Sequence, residues 1–600
     1  MDAASDILSK LDPSVDPCDD FYQFSCGGYT RSAVIADDKG QVSEFSHLND
    51  KLTQQVRHLL EDPTPAPPGS PYELAKESYF ACMDRQKIEM LGVTPLTDIL
   101  ARLGSWPVVA GTSWSAGPDW SWQSLIYQLR SLGLATDFLI NFSVSTDLRD
   151  STRHVMSLDQ PELGLAREFL VKGEEDPVVQ AYTGFMIEVA SLLGAEPGFA
   201  VQSMTKVLQF EMELANISQS REMRRDPNRQ YNPMTVSQLA SLDPDTPWLE
   251  YINTILGPEN GVVTEEDAVV VNAPEYLRSL SQLVKRTPSR VVTDFVLWRI
   301  SASSLSYLSE RAEMIAFKFT MQLTGQAARP ARWQKCVGEV TGALGPLVGS
   351  LYVQKYFSSL AKAEAVDMVD QIRGKFLEVL DEVDWMDAVT KKKAKDKAEA
   401  MVEYIGYTPE LRDVEKLSEL YRGLELSPDH YVGNGFNISR YHRNFAFSKL
   451  RKPVDKKDWV RHGNPAVVNA FYSPIENSIQ IPAGILQGVF FNSQRPKYMN
   501  YGAIGWVIGH EITHGFDDQG RRFDKEGNLF NWWDEQTAAR YVSKAQCMVE
   551  QYSQYSYPHL GNITVNGLNT LGENIADNGG IMTSYRAYGE LIVMSGRKRL

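Results

Sequence analysis

Positive charge is what the chain most lacks. Its 600 residues carry 60 Lys and Arg against 76 Asp and Glu, a formal net charge of -16. Nucleic acid and anionic membrane surfaces hold proteins through basic patches, so neither is expected as the main partner. No apolar run of about 20 residues occurs, so no membrane-spanning segment is read from the chain. The opening Met1-Asp2-Ala3-Ala4-Ser5 has neither the basic nor the apolar region of an export signal. No repeat period and no long low-complexity tract is found. Cysteine is scarce and odd in number: Cys18, Cys26, Cys82, Cys336 and Cys547. At least one thiol stays unpaired if the others form disulfides, and five reduced thiols are the alternative. Four Asn-x-Ser/Thr sequons, at Asn141, Asn216, Asn437 and Asn562, matter only in a secretory compartment.

What is present suits a large globular protein. With 43% hydrophobic and 10% aromatic residues the chain can bury a sizeable core, and its length favours more than one lobe. The Pro-rich stretch from Glu61 to Ser70 reads as an exposed connector between helices. From Tyr72 to about Leu426 the pattern is mostly helical, clearest where Val366, Val369, Ile372, Phe376, Leu380 and Val383 recur at three- and four-residue steps. The run Lys391-Lys392-Lys393-Ala394-Lys395-Asp396-Lys397 is expected to be the solvated face of a helix that Gly406 and Pro409 end. Around Asn469 to Pro474 and Ser478 to Pro482 short extended runs predict a small sheet, with proline marking an edge or strand end. Such an edge can bind a peptide by adding it as a further strand.

The chemistry is concentrated in Val507-Ile508-Gly509-His510-Glu511-Ile512-Thr513-His514-Gly515-Phe516-Asp517. Residues four apart share a helix face, so His510 and His514 can point at one metal ion with Glu511 beside them. Two imidazoles with a carboxylate and an open position suit catalytic zinc, and Glu511 would be the base for its water. Two core histidines on a buried helix would also produce this pattern. Downstream, Gly572-Glu573-Asn574-Ile575-Ala576-Asp577-Asn578-Gly579-Gly580 places two more acids four apart on a second helix, and this pairing is the stronger signal.

Together with the DPCxDFYxxxCG opening, Leu297-Trp298-Arg299, Arg332 to Cys336, Trp385-Met386-Asp387, Ile405-Gly406-Tyr407 and Asn469-Ala470-Phe471-Tyr472, these motifs closely resemble the neprilysin and endothelin-converting-enzyme family of zinc metallopeptidases. The resemblance implies a mainly α fold with a small β-sheet. A thermolysin-like zinc lobe (gluzincin type) and a helical lobe would enclose a chamber. The ranges expected are 1–50 packing on the catalytic lobe, 51–430 as the helical lobe and 455–600 as the zinc peptidase domain. It also implies one zinc per chain, held by His510, His514 and Glu573, with Glu511 as general base. Asp577 would orient His510 and so join the catalytic set, and Asp517, one turn from His514 on the same helix, would orient that ligand. Gly579 and Gly580 would let the second helix come close.

Asn469 and Ala470 would hold the peptide backbone. Ile485, Phe490, Trp506 and Val507 would form the apolar pocket for the residue after the scissile bond, so oligopeptides would be cut on the amino side of hydrophobic residues. Cys82 and Cys336 resemble a bonded pair, and the counterparts of Cys18, Cys26 and Cys547 bond to cysteines of a C-terminal segment. The family's C-terminal segment also supplies a histidine for the tetrahedral intermediate and a substrate arginine. No histidine follows Glu573, and His559 stands in what reads as a loop. The expectation is therefore a chain truncated at its C-terminus and incomplete at its start, from a secreted or membrane-anchored glycoprotein of the extracellular or secretory space. A catalytically weak peptide-binding relative and a zinc aminopeptidase are the competing functions.

Overall fold

Short polar side chains start many of the helices. Ser43 caps Glu44–Leu60 in a reciprocal pair with Ser46, Asp387 accepts from the backbone N–H groups of Val389 and Thr390, and Asp534 does the same for Gln536 and Thr537. In the computed structural model the described residues are 2–64, 69–557, 561, 563–594 and 596, without the side chains of 2 and 3. His559, Asn562, residues 65–68 of the Pro-rich connector and most of the last six residues lie outside them. Among the described residues no single helix is long and apolar enough to cross a membrane.

Apolar faces gather the helices around two separate cores, giving two lobes. One core runs from Leu96 to Ile315 and takes in Val432, Phe447 and Leu450. The other joins Leu48 to Ile88, Cys336 to Leu424 and the chain from Ala466 to Ala587. The stretch 51–430 therefore feeds both cores, because packing follows apolar faces and not chain order. The helix Ser359–Glu382 buries Val369, Ile372, Phe376 and Leu380 in the second core, while Val383 caps it. Cys82, at the end of Tyr72–Met83, is disulfide-bonded to Cys336 of Arg332–Ala343. Cys18 and Cys547 are exposed free thiols and Cys26 is a half-buried one.

Three features depart from the sequence expectation. First, the first lobe contains a four-stranded sheet, β1 (Asn141–Thr146), β2 (His154–Asp159), β3 (Asn232–Thr235) and β4 (Ala268–Val271), in the order β1-β2-β4-β3. Its strands are only four to six residues long and scattered between helices, so the alternation in β1 and the apolar run of β4 are too brief to stand out from the helical pattern around them. Second, the helix Ala388–Glu399 ends at Ala400. Gly406, at φ 75°, instead ends a strand, β5 (Val402–Gly406). Strand β5 pairs in parallel with β7 (Ser478–Pro482), and β6 (Phe471–Ser473) pairs antiparallel on the other side of β7, which leaves β6 as an edge. Third, the lysine run is not wholly solvated: Thr390, Ala394, Lys397 and Ala398 form a buried face, and Lys397 is only 1% exposed.

A small cluster joins the lobes. Val155, Tyr231 and Val270 of the first lobe pack on Phe523 and Leu529 in the loop after the metal-motif helix.

Candidate metal centre

The helix Trp506–His514 grows out of a π-type turn at Tyr501–Gly505. Ile504, Ile508 and Ile512, four apart, are fully buried, and this face anchors the helix in the second core. His510 and His514 are half-buried, with their Nε2 atoms 3.0 Å apart. The second helix, Leu571–Met594, crosses it at glycine contacts. A Cβ on Gly580 would stand 2.7 Å from the Trp506 carbonyl oxygen and 2.8 Å from the His510 nitrogen, so any larger residue would push the helices apart.

That close approach delivers Glu573. Its Oε2 lies 3.3 Å from His510 Nε2 and 3.5 Å from His514 Nε2. Ligands bound tetrahedrally at about 2.0–2.1 Å stand about 3.3–3.4 Å from one another, so the three donor atoms are spaced for one zinc ion. The N, N, O donor set also suits zinc. The imidazoles are oriented from behind: His510 Nδ1 is 2.8 Å from Asp577 Oδ1, and His514 Nδ1 is 2.8 Å from Asp517 Oδ2. Asp517 is not on the helix, which stops at His514. It lies in the following turn, where its Oδ1 accepts from the N–H groups of Gln519 and Gly520 at 2.8 and 2.6 Å.

The electrostatics favour positive charge between these acids. Burial opposes charge on His510, but Asp577 and Glu573 outweigh it and hold the imidazole at about 9. Burial likewise opposes charge on His514, and Asp517 with Glu573 raise it to about 10. Hydrogen bonds from both histidines hold the Glu573 carboxyl far below the usual range. The same field that favours protons here favours a dication in their place. Glu511 is 6% exposed, and burial, opposed by the two histidines, lifts it to about 7, a range suited to proton transfer near neutrality.

The substrate residues inferred from sequence are dispersed. Asn469 is exposed and Ala470 buried, both just before edge strand β6. Ile485, Phe490 and Val507 are buried in the second core, with Phe490 against Phe45 at 4.5 Å between ring centroids. Trp506 stands 6.0 Å from the His510 ring and lines a separate groove of about 300 Å³ with Ile581 and Tyr585 of the second helix. Two residues in contact with the loop that carries Asp517 escaped the sequence reading. Lys397 stands in a run of solvated lysines, but the small residues at 390, 394 and 398 mark its face as buried. Arg225, which pairs with Asp518 from the other lobe, carried no motif at all.

Two crossed helices that converge two histidines and a glutamate, beside a buried acid in a two-lobed helical protein, define a metallopeptidase of the zinc class. The chain belongs to peptidase family M13, whose N-terminal and catalytic models match residues 17–408 and 469–599. It is 45% identical to neprilysin-2 of Drosophila melanogaster over 98% of this chain and 77% of that one. Its fold is similar to the Mycobacterium tuberculosis zinc metalloprotease ZMP1 in complex with inhibitor. The TM-score is 0.87 and the identity 29%, over 98% of this chain and 86% of the other. Against the open state of that protease the TM-score is 0.70, with 30% identity over 96% and 87% of the two chains. The protein is thus a peptidase, and zinc is its expected metal.

Proposed function

We propose that the chain is an endopeptidase that cuts oligopeptides on the amino side of hydrophobic residues, with one zinc held by His510, His514 and Glu573. The convergence of those three ligand atoms beside the buried Glu511 carries the reading. A zinc ion there supplies Lewis acidity toward the scissile carbonyl and acidifies a water toward a pKa of about 7. Glu511 takes the proton of the attacking water and passes it to the leaving amine. Asp577 and Asp517 fix the tautomers of His510 and His514, so that each Nε2 presents a lone pair to the metal.

The edge strand β6, with Asn469 and Ala470 at its start, offers backbone groups to an extended peptide. A hydrophobic preference is supported by Trp506, which stands one helical turn before His510 and lines a groove with Ile581 and Tyr585. The family's extracellular or membrane-bound relatives, the disulfide and the exposed sequon at Asn216 support a secretory or extracellular setting.

The test is to measure zinc per chain and to map cut sites in a peptide library that includes N-terminally blocked members. One zinc and cuts before hydrophobic residues in blocked peptides are expected. Cuts mostly before charged residues would overturn the specificity, and inertness toward blocked peptides would indicate an aminopeptidase. Peptide binding without turnover would favour the non-catalytic alternative.

A further inference from the structure

Lys397 is a buried cation with no part in the chemistry above. Its Nζ donates to the carbonyl oxygens of Gly515, Gly520 and Phe523 at 2.8, 2.8 and 2.7 Å. Three acceptors take up all three N–H bonds of an ammonium. The rings of Tyr472, Phe516 and Trp532 surround it at 6.0, 5.5 and 5.9 Å. Burial disfavours the charge and draws the group down to about 7, with Asp517 and Asp524 acting in the opposite direction.

The three carbonyls bracket Asp517. Gly515 caps the C-terminal end of the metal helix, where carbonyls lack intrahelical partners. Gly520 also donates its N–H to Asp517 Oδ1. The backbone of Lys397 reaches the small sheet: its carbonyl accepts from Asn477 Nδ2 at 3.0 Å, and the Asn477 side chain accepts from the Tyr472 hydroxyl of β6 at 3.1 Å. One residue thus holds both the turn behind His514 and the β6–β7 hairpin.

We propose that Lys397 is a positioning residue for the metal centre: by gripping Gly515, Gly520 and Phe523 it keeps Asp517 against His514 and registers the metal helix with the β6 edge. The inference rests on the zinc reading above.

Lys397→Met keeps the length of the side chain but leaves three buried carbonyls without their donor. The expected result is zinc release to a chelating dye faster by roughly 10–100-fold, and a similar fall in kcat per zinc-loaded molecule with KM little changed. Leu96→Ala, in the core of the other lobe, is the stability control: its Tm falls while zinc release and kcat stay parental. Should Lys397→Met not fold, Lys397→Gln, with two N–H donors, is measured and expected to be intermediate. Parental zinc release and kcat in either folded variant overturns the proposal, and so does failure of both to fold, which would assign Lys397 to folding alone. A parent chain that binds no zinc overturns the zinc reading itself, whereas a zinc-binding parent with an indifferent Lys397 variant overturns only this step.

Discussion

Arg225 of the first lobe donates through Nη2 to both carboxylate oxygens of Asp518, at 3.0 and 2.8 Å, one residue beyond the aspartate that orients His514. Its Nη1 donates to the Asn569 carbonyl oxygen at 2.8 Å, just before the helix that carries Glu573. Asp226 pairs with Arg522, and Glu222 accepts from Asn569 Nδ2 at 2.7 Å. Both chain segments that carry the candidate metal ligands are thus tied to the opposite lobe.

Replacing Arg225 with Met should therefore loosen lobe docking more than it unfolds either lobe. The pair is partly screened by solvent, so a loss of about 1–2 kcal/mol is expected, which is roughly a 5–30-fold fall in kcat/KM. Small-angle scattering should report a larger mean radius, with zinc content retained. An unchanged radius together with parental kcat/KM would count against the clamp.

Glu511→Gln preserves the shape of the base and removes its proton affinity. A loss in kcat of roughly 10²–10⁴-fold is expected with zinc still bound. Parallel metal analysis and steady-state kinetics decide it: a variant as fast as the parent would exclude Glu511 as the base.

Asp577→Asn keeps an acceptor 2.8 Å from His510 Nδ1 but removes the charge. Zinc affinity, read by competition with a chelator, should weaken by roughly 10–100-fold. Affinity equal to the parent's would show that the carboxylate charge adds nothing to the ligand.

Away from the metal, Asp294 gives a stability test with a defined sign. It is 1% exposed and accepts from the Val108 N–H at 2.8 Å; burial raises its carboxyl to about 7, against that bond and Arg290. The unfolded chain releases this proton at about 3.9. Between those values the unfolded state binds fewer protons than the folded state, so this group's contribution to stability falls as pH rises from about 4 to about 7 and is then flat. Asp294→Asn removes that slope. Urea unfolding at pH 4.5 and pH 8, both chosen relative to the window of about 4 to 7, should show the Asn variant gaining on the parent, by about 1–4 kcal/mol at the higher pH. Parallel pH dependence in the two proteins would refute the assignment.

How far the site could be read in advance follows from the range of the interactions. His510, Glu511 and His514, and likewise Glu573 and Asp577, were legible because helical spacing alone determines which side chains share a face. The glycines at 579 and 580 announced a close approach for the same local reason. The long amphipathic helix around Val369 and Phe376 was equally readable. The spacing of Asp517 fits a continuing helix. The actual helix stops at His514, where the turn ties back through Gln519 and Gly520.

By itself, the sequence determined the family, the mainly helical class and the two halves of the metal motif, since these depend on local pattern. Only the tertiary structure decided that Glu573 comes within 3.3 and 3.5 Å of the two imidazoles, that the chain from 51 to 430 is shared between two cores, and that Arg225 crosses between the lobes. It alone turned Lys397 inward from a run of solvated lysines. The physical reason is that burial and ion pairing are set by partners far away in sequence, and for Lys397 those partners are backbone carbonyls, which carry no sequence signature at all.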